Sequence, residues 1–574
     1  MHEFRVDPDH DAVLNSEARH LVVTAPPGTG KTSLSVRLAG RLAPDVPPGG
    51  RVLVLTFSTQ ARSQLEREAA RQLSPELRRR VEITNYHRFF WNQVLAYRRA
   101  LGLPMRLDIG SSRRRHDALQ RADSELVREL ARSQGLIESL AEHAFPEFRD
   151  DRTPDQKSLG VLLAVVEAEQ RAGRLVFDDL GALFWSLVQR FPAVDNAYQS
   201  RYPAVIADEH QDASALQDAV VRRFGRERLV VFADPMQLIH EFRGASRDRL
   251  ERHLADCDQT LTLGTPHRWH DSQELARWLL AVRARLQGRR VPCVPPAELR
   301  IQCSPAQRGF NGMKPYVKYA VSGAFARGCR TVAVLARGNR EVAEIQSYLC
   351  KQGQFPSQVG TEDFDDARQD IEQLALLEDQ QAIALAAVDR LQALAPTLNA
   401  ALLTRVRGRV LPDGLNLNRA GTEASRLLRA LEPIYTTGRG AYFESIVAAL
   451  GVCNEAGHHL PRTEAVQALR VTAQALSNKP ADFEYAIDQY AAAVQTATHT
   501  APRMEYGLFV MTAHQAKGKE FDAIVLADAM ERFWPDDDDT RRLFYVAVTR
   551  ASKSWTIVAP DQGASLLLLH LRCV

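Results

Sequence analysis

No apolar run among the 574 residues is long enough to cross a bilayer, and the opening Met1-His2-Glu3-Phe4-Arg5 does not read as an export signal. Cysteine is sparse. The seven residues (Cys257, Cys293, Cys303, Cys329, Cys350, Cys453 and Cys573) are scattered with no CxxC pair, which excludes a strong zinc or iron–sulfur signature. That usage fits a reducing cytosol, so a cytoplasmic protein with no membrane partner is expected. Excess charge is lacking too. A net charge of +3 at this length makes any nucleic-acid surface a local one. There is no internal repeat, heptad run or low-complexity linker. What remains is an ordinary globular composition, 45% hydrophobic and 25% charged, in a chain too long for one core, so two or more domains are expected.

Short apolar, β-branched runs alternate with helical stretches: His20–Thr24, Arg51–Phe57, Val81–Ile83, Ala204–Ala207, Leu229–Ala233 and Thr260–Leu263 early in the chain. Thr331–Ala336, Leu508–Thr512, Ile524–Ala527 and Trp555–Val558 form a late set. Such runs mark buried parallel strands, hence two parallel sheets. Two helix-rich stretches interrupt them, from about Trp91 to Gly173 and from about Asp366 to Met504. The second opens on Asp366–Ala375 and reads as helical again at Glu484–Val494.

The first strand runs into Ala25-Pro26-Pro27-Gly28-Thr29-Gly30-Lys31-Thr32, and a helix follows from Ser33. Strand, glycine-rich loop and helix are the context a phosphate loop needs. Backbone N–H groups surround the phosphates, Lys31 reaches the β/γ-phosphates and Thr32 ligates magnesium. Ala204–Ala207 ends in Asp208-Glu209; the first acid can hold the metal and the second can polarise the attacking water. Leu229–Ala233 leads to Asp234 and Gln237. Gln237 reads either as a γ-phosphate sensor or as part of a capping turn.

These motifs continue with Arg268, His514–Phe521 and Val546–Ala551, an order that resembles the UvrD/Rep/PcrA group of superfamily 1 DNA helicases. The most specific stretches are Asp234–Ala245, Met511–Phe521 and Tyr545–Ala551. The resemblance implies an α/β protein with two RecA-like parallel-sheet P-loop motor domains, each carrying a mainly helical insertion. The expected division is 1–90 with 174–270 and 271–365 with 505–574 for the motor cores, and 91–173 and 366–504 for the insertions. It implies ATP and Mg2+ as cofactors, 3′-to-5′ movement on single-stranded or 3′-tailed DNA, and Arg268 and Arg550 as arginine fingers. A finger of this kind is worth about 10³–10⁵-fold, roughly 4–7 kcal/mol. Because the two arginines lie far apart in sequence, gathering both at one phosphate would couple hydrolysis to movement. Gly518 and Glu520 fall on the stretch that contacts the ribose.

Three base-contact positions depart from the family together. His10 stands where glutamine is usual, Ser33 replaces the arginine after GKT, and His267 replaces the tyrosine of NYR. Weaker discrimination among purine nucleotides is expected, so other nucleoside triphosphates are admitted beside ATP. Strand contacts are expected from Thr56, Phe57, His87, His240, Phe242, Thr512 and His514, through stacking worth about 1–3 kcal/mol per base; on composition alone, Phe57 reads equally well as core. The clusters Arg78–Arg80, Arg98-Arg99, Arg113–Arg115 and Arg405/Arg407/Arg409 read by default as solvated faces, with those of the first insertion as the better backbone contacts. Little chain follows the last strand, so no fused nuclease is expected. Compact relatives of this sort, such as the helicase-like subunit of the Gabija antiviral defence system, work beside a separate nuclease. A DNA-sensing regulatory NTPase with such a partner is therefore the alternative reading.

Overall fold

The computed structural model describes residues 7–57, 59–105, 107–110, 115–116, 118–119, 140–150, 153–239, 245–269, 272–305, 309–354, 356, 379–395, 398–418, 420–456 and 507–571. His240 and Phe242 lie outside them, as do Arg113 and Arg114 and the helical readings at 366–375 and 484–494. The chain divides into two compact units, Met1–Pro296 with Asp536–Thr549 and Leu566–Val574, and Ala297–Pro535 with Arg550–Ser565.

The first unit is built on strands β1 (His20–Thr24), β2 (Val52–Thr56), β3 (Val81–Asn85), β6 (Ala204–Ala207), β7 (Arg228–Ala233) and β8 (Gln259–Thr262). They pair all-parallel in the order β3-β2-β6-β7-β1-β8, with Val22 opposite Val231 and Ile206 opposite Val230. Both faces are covered, and for that reason β2 and β6 read as unbroken apolar runs rather than alternating ones. Val22, Leu53, Leu55, Val205 and Val231 face one core with Phe89, Phe90, Phe184 and Phe224. Leu21, Val23, Val52, Val54 and Ile206 face the other, under the Lys31–Leu42 helix. β1 lies inside the sheet with the phosphate loop at its carboxyl end, the edge where open α/β sheets bind ligands. This is a RecA-like arrangement.

The first insertion is less purely helical than its composition suggests. Strands β4 (Asp108–Gly110) and β5 (Arg174–Val176) pair in parallel beside the Gln156–Arg171 helix. Arg115 does not sit on a solvated face. It is 2% exposed and makes two bonds to the fully buried Asp179 carboxylate, 2.7 and 2.5 Å, so it cannot belong to a surface basic patch.

The second unit carries a five-stranded, all-parallel sheet: β9 (Leu299–Ser304), β10 (Thr331–Ala336), β13 (Gly507–Thr512), β14 (Phe521–Leu526) and β15 (Ala551–Pro560), in the order β13-β10-β14-β15-β9. Within it, helices Gln380–Leu394, Ala400–Arg407, Thr422–Thr437 and Tyr442–Glu455 bury Leu391, Leu428, Leu431, Phe443 and Ile446 around a separate core. The short hairpin of β11 (Val410–Leu411) and β12 (Gly414–Leu415) lies between them in sequence. No helix among the described residues is long and apolar enough to cross a membrane.

The Gln273–Leu286 helix and Asp538–Val548 both fall in the first unit, whereas the sequence reading began the second core at 271. Their attachment is polar as well as apolar. Trp278 donates its indole N–H to the Leu571 carbonyl at 3.2 Å, and Arg283 reaches the Tyr545 hydroxyl at 3.1 Å.

Candidate nucleotide site

Two glycines shape the phosphate loop. Gly28 and Gly30 both adopt left-handed conformations (φ +79°), which side-chain-bearing residues rarely tolerate, and Gly30 caps the Lys31–Leu42 helix. A Cβ on Gly28 would lie 2.8 Å from the Arg268 Cβ, because the His267–Trp269 turn packs directly on the loop and the Arg268 N–H donates to the Gly28 carbonyl at 3.1 Å. Thr29 closes the loop by donating its hydroxyl to the Pro26 carbonyl at 2.8 Å. Ala25, Pro26 and Pro27 are buried beneath it, with the Ala25 N–H bonded to the Ala233 carbonyl.

Lys31 is only 9% exposed, and its Nζ lies 2.7 Å from Glu209 Oε1. Burial alone would lower the Lys31 pKa, but Glu209, Asp208 and Asp234 outweigh it and raise it. Asp208 directly follows β6, with its N–H on the Leu55 carbonyl. Burial, and then the neighbouring Glu209 charge, push its carboxyl up to about 7 against the opposing pull of Lys31. Glu209 has φ +53°, the one positive value on a non-glycine among the described residues, and this strained turn aims its carboxylate at Lys31.

Asp208 Oδ1 is buried and has no hydrogen-bond partner among the described residues. A buried carboxylate oxygen left free among the described residues, with Thr32 at the start of the helix after the phosphate loop, suits magnesium. This ion takes one or two protein oxygens and keeps waters and phosphate oxygens for the rest.

Behind the carboxylates runs a polar chain that the motifs only partly revealed. Gln211 donates to Glu209 Oε2 at 2.6 Å and accepts from the Asp234 N–H at 3.1 Å. Gln237 donates to Asp234 Oδ2 at 2.9 Å, while Arg283 pairs with Asp234 Oδ1 at 2.7 Å and reaches on to Tyr545. Arg283 and Gln211 were absent from the sequence-based set. Arg283 belongs to no motif, and its only signal is a cation on the buried face of an amphipathic helix.

The three altered base positions lie in the first unit. His10 is buried, with Nε2 2.9 Å from the Thr29 carbonyl, so it braces the loop itself. His267 is about 40% exposed, lies 2.7 Å from Asp7 and meets the His10 ring edge-on at 5.2 Å between centroids. Ser33 instead donates to Glu68 at 3.2 Å and accepts from Gln72 at 2.7 Å on the Thr59–Gln72 helix. Arg268 donates to the Thr549 carbonyl at 2.8 Å.

In the second unit Arg550 is 3% exposed, its side chain 3.4 Å from the Lys519 carbonyl and its own carbonyl bonded to the Phe521 N–H. Gly518 (φ +76°) and Glu520 stand exposed on that loop. Thr512 is buried at the end of β13, locked to Gln515, and His514 is half-buried just beyond. In the first unit, Thr56 is fully buried, Phe57 packs partly buried against the core, and His87 lies 5.4 Å from the exposed Phe177 ring.

The sequence matches the UvrD/REP helicase N-terminal domain over residues 6–258 and the UvrD-like helicase C-terminal domain over residues 507–558. Together these cover just over half of the chain, which belongs to the UvrD/Rep/PcrA-like superfamily 1 helicase family. Similar proteins include the ATP-dependent DNA helicase UvrD1 of Mycobacterium tuberculosis, 27% identical over half of this chain and 40% of that protein's length. UvrD2 of the same organism is 25% identical over 97% of this chain and 79% of its own length. PcrA of Leuconostoc citreum is 22% identical over 95% and 80% respectively.

Proposed function

We propose that the chain is an ATP-dependent DNA helicase and translocase that moves 3′ to 5′ on single-stranded or 3′-tailed DNA in the cytoplasm. The observation that carries this reading is the Lys31–Glu209 pair beside the buried, partner-free oxygen of Asp208. One cation for the phosphates, one metal ligand and one base stand together at the carboxyl ends of β1 and β6. When bound, magnesium would supply positive charge against the phosphate oxygens. Thr32 and Asp208 would hold it, Lys31 transfers from Glu209 to the phosphates, and the released Glu209 accepts a proton from the attacking water. Arg268 and Arg550 stabilise the charge that grows on the γ-phosphate.

Gln237 reports the nucleotide state through Asp234, whose other oxygen is tied to Arg283 and so to Tyr545. Thr56, Phe57, His87, His240, Phe242, Thr512 and His514 supply the strand track, and Gly518 with Glu520 the ribose contact. His10, Ser33 and His267 stand at the usual base-contact positions, so ATP is discriminated from GTP less strongly than by the family's well-known members. A several-hundredfold preference for ATP in steady-state hydrolysis would refute that part. The family membership of UvrD1, UvrD2 and PcrA, each an ATP-dependent DNA helicase by name, supports the activity.

The test is single-turnover strand separation on 3′- and 5′-tailed duplexes. Separation of the 3′-tailed substrate alone, and only with ATP, is expected. DNA-stimulated hydrolysis without separation would favour a regulatory subunit working with a nuclease, and separation of the 5′-tailed substrate would reverse the polarity.

A further inference from the structure

His210 follows the two acids at the end of β6, and the fold gives it partners from elements the nucleotide chemistry does not use. Its Nε2 lies 3.0 Å from Asp218 Oδ1 and 3.2 Å from His253 Nε2, while His253 Nε2 lies 2.5 Å from the same Asp218 oxygen. Three donor atoms from the His210–Asp212 turn, the Ala215–Phe224 helix and the Arg247–Asp256 helix thus close a triangle. All three residues are buried, His253 completely. The outer nitrogens are held as well. His210 Nδ1 is 3.1 Å from the Tyr86 hydroxyl, and His253 Nδ1 is 3.0 Å from His20 Nε2.

Hydrogen bonding accounts for two sides of this triangle, since each imidazole can donate to Asp218. On the third side the two ring nitrogens lie 3.2 Å apart, also within hydrogen-bond reach, but if both donate to the Asp218 oxygen their hydrogens face each other there. A metal dication in place of those protons removes the conflict, and it fits the 3.0 and 3.2 Å sides as they stand while the 2.5 Å side must open. Bonds of about 2.0–2.1 Å at tetrahedral angles set donor atoms about 3.3 Å apart. Each histidine then carries its proton on Nδ1 and donates it outward, to Tyr86 or to His20, which is the outer support that metal-bound imidazoles require. Two imidazoles and a carboxylate are a donor set suited to zinc rather than to magnesium.

We propose that His210, Asp218 and His253 form a buried three-residue site for a zinc-class dication, separate from the magnesium position at Asp208. It staples the turn that carries Glu209 to two flanking helices. A water completes four-coordination, because the second Asp218 oxygen already accepts from Arg222 at 3.2 Å.

The full chain, stripped with EDTA and supplied with zinc alone, is expected to retain one tight equivalent by elemental analysis. Substitution with cobalt(II) should give the visible absorption of a tetrahedral nitrogen–oxygen site without a thiolate charge-transfer band. His253→Gln and Asp218→Asn should each lose the equivalent. His267→Ala should keep it, which separates the site from the more exposed Asp7–His10–His267 group. Wild-type protein without tightly held zinc, a cobalt spectrum showing thiolate ligation, or full zinc content in His253→Gln would each overturn the assignment. Where a variant fails to fold, the wild-type stoichiometry and cobalt spectrum still decide.

Discussion

Replacing Glu209 with glutamine should weaken catalysis and strengthen nucleotide binding at once. Lys31 Nζ sits 2.7 Å from Glu209 Oε1, so a triphosphate must compete with Glu209 for the same ammonium. A hydrogen bond to a charged group is worth about 1.5–3 kcal/mol net. Glu209 is a quarter exposed, and Asp208 and Asp234 still attract the ammonium once it is gone, so roughly 1 kcal/mol of competition is removed. ATP should therefore bind about fivefold more tightly to Glu209→Gln, as read by titration of a fluorescent ATP analogue with magnesium present. The same change deletes the proposed base. General-base removal should slow single-turnover hydrolysis by about 10²–10⁴-fold, equivalent to about 3–5.5 kcal/mol. Weaker binding of ATP to the variant, or hydrolysis within tenfold of wild type, would refute the reasoning.

Other outcomes follow from neighbouring contacts. Arg283→Met leaves Asp234 fully buried without its cation and should cost about 3–5 kcal/mol in urea denaturation, with part recovered in the Asp234→Asn/Arg283→Met double variant. Gly28→Ala must place a Cβ 2.8 Å from that of Arg268 at a left-handed φ; strain of about 1–2 kcal/mol and an ATP affinity lowered by at least about tenfold are expected in the same titration.

Burial pushes the Asp528 carboxyl up to about 6, despite N–H donors from Arg337 and Trp534. Between pH 3.8 and about 6 the unfolded chain has released this proton while the folded chain keeps it. Stability should thus fall as pH rises through that window, by about 1.4 kcal/mol per unit, and level off above it. Asp528→Asn should flatten that slope in denaturant titrations at several pH values, and an unchanged slope would assign it to other groups.

The parts of this protein legible in the sequence are those in which neighbours along the chain do the work. β1, the phosphate loop and the helix after it are consecutive, so spacing alone sets Lys31 and Thr32 at the start of that helix, and the apolar runs locate both sheets apart from β9. Short pairings were lost. β4 and β5 are three residues each and their registered partners lie 66 apart, as in Asp108 opposite Arg174, so neither shows a period that outweighs its helical surroundings. Long-range polar contacts were lost as well. Arg283 gains its meaning from Tyr545, 262 residues away, and His253 from His20, 233 residues away. Arg115 looked like surface charge because Asp179, which buries it, lies outside its local pattern. The sequence suggests His10 as a base contact; the structure shows it bracing the Thr29 carbonyl.

The central claim is that the Lys31–Glu209 site hydrolyses nucleotide in response to DNA. Phosphate release from ATP by the full chain, measured with and without a single-stranded oligonucleotide and repeated with Lys31→Ala, tests it most directly. Hydrolysis stimulated by the oligonucleotide and abolished in Lys31→Ala is expected. Hydrolysis indifferent to DNA, or surviving without the lysine, would contradict it.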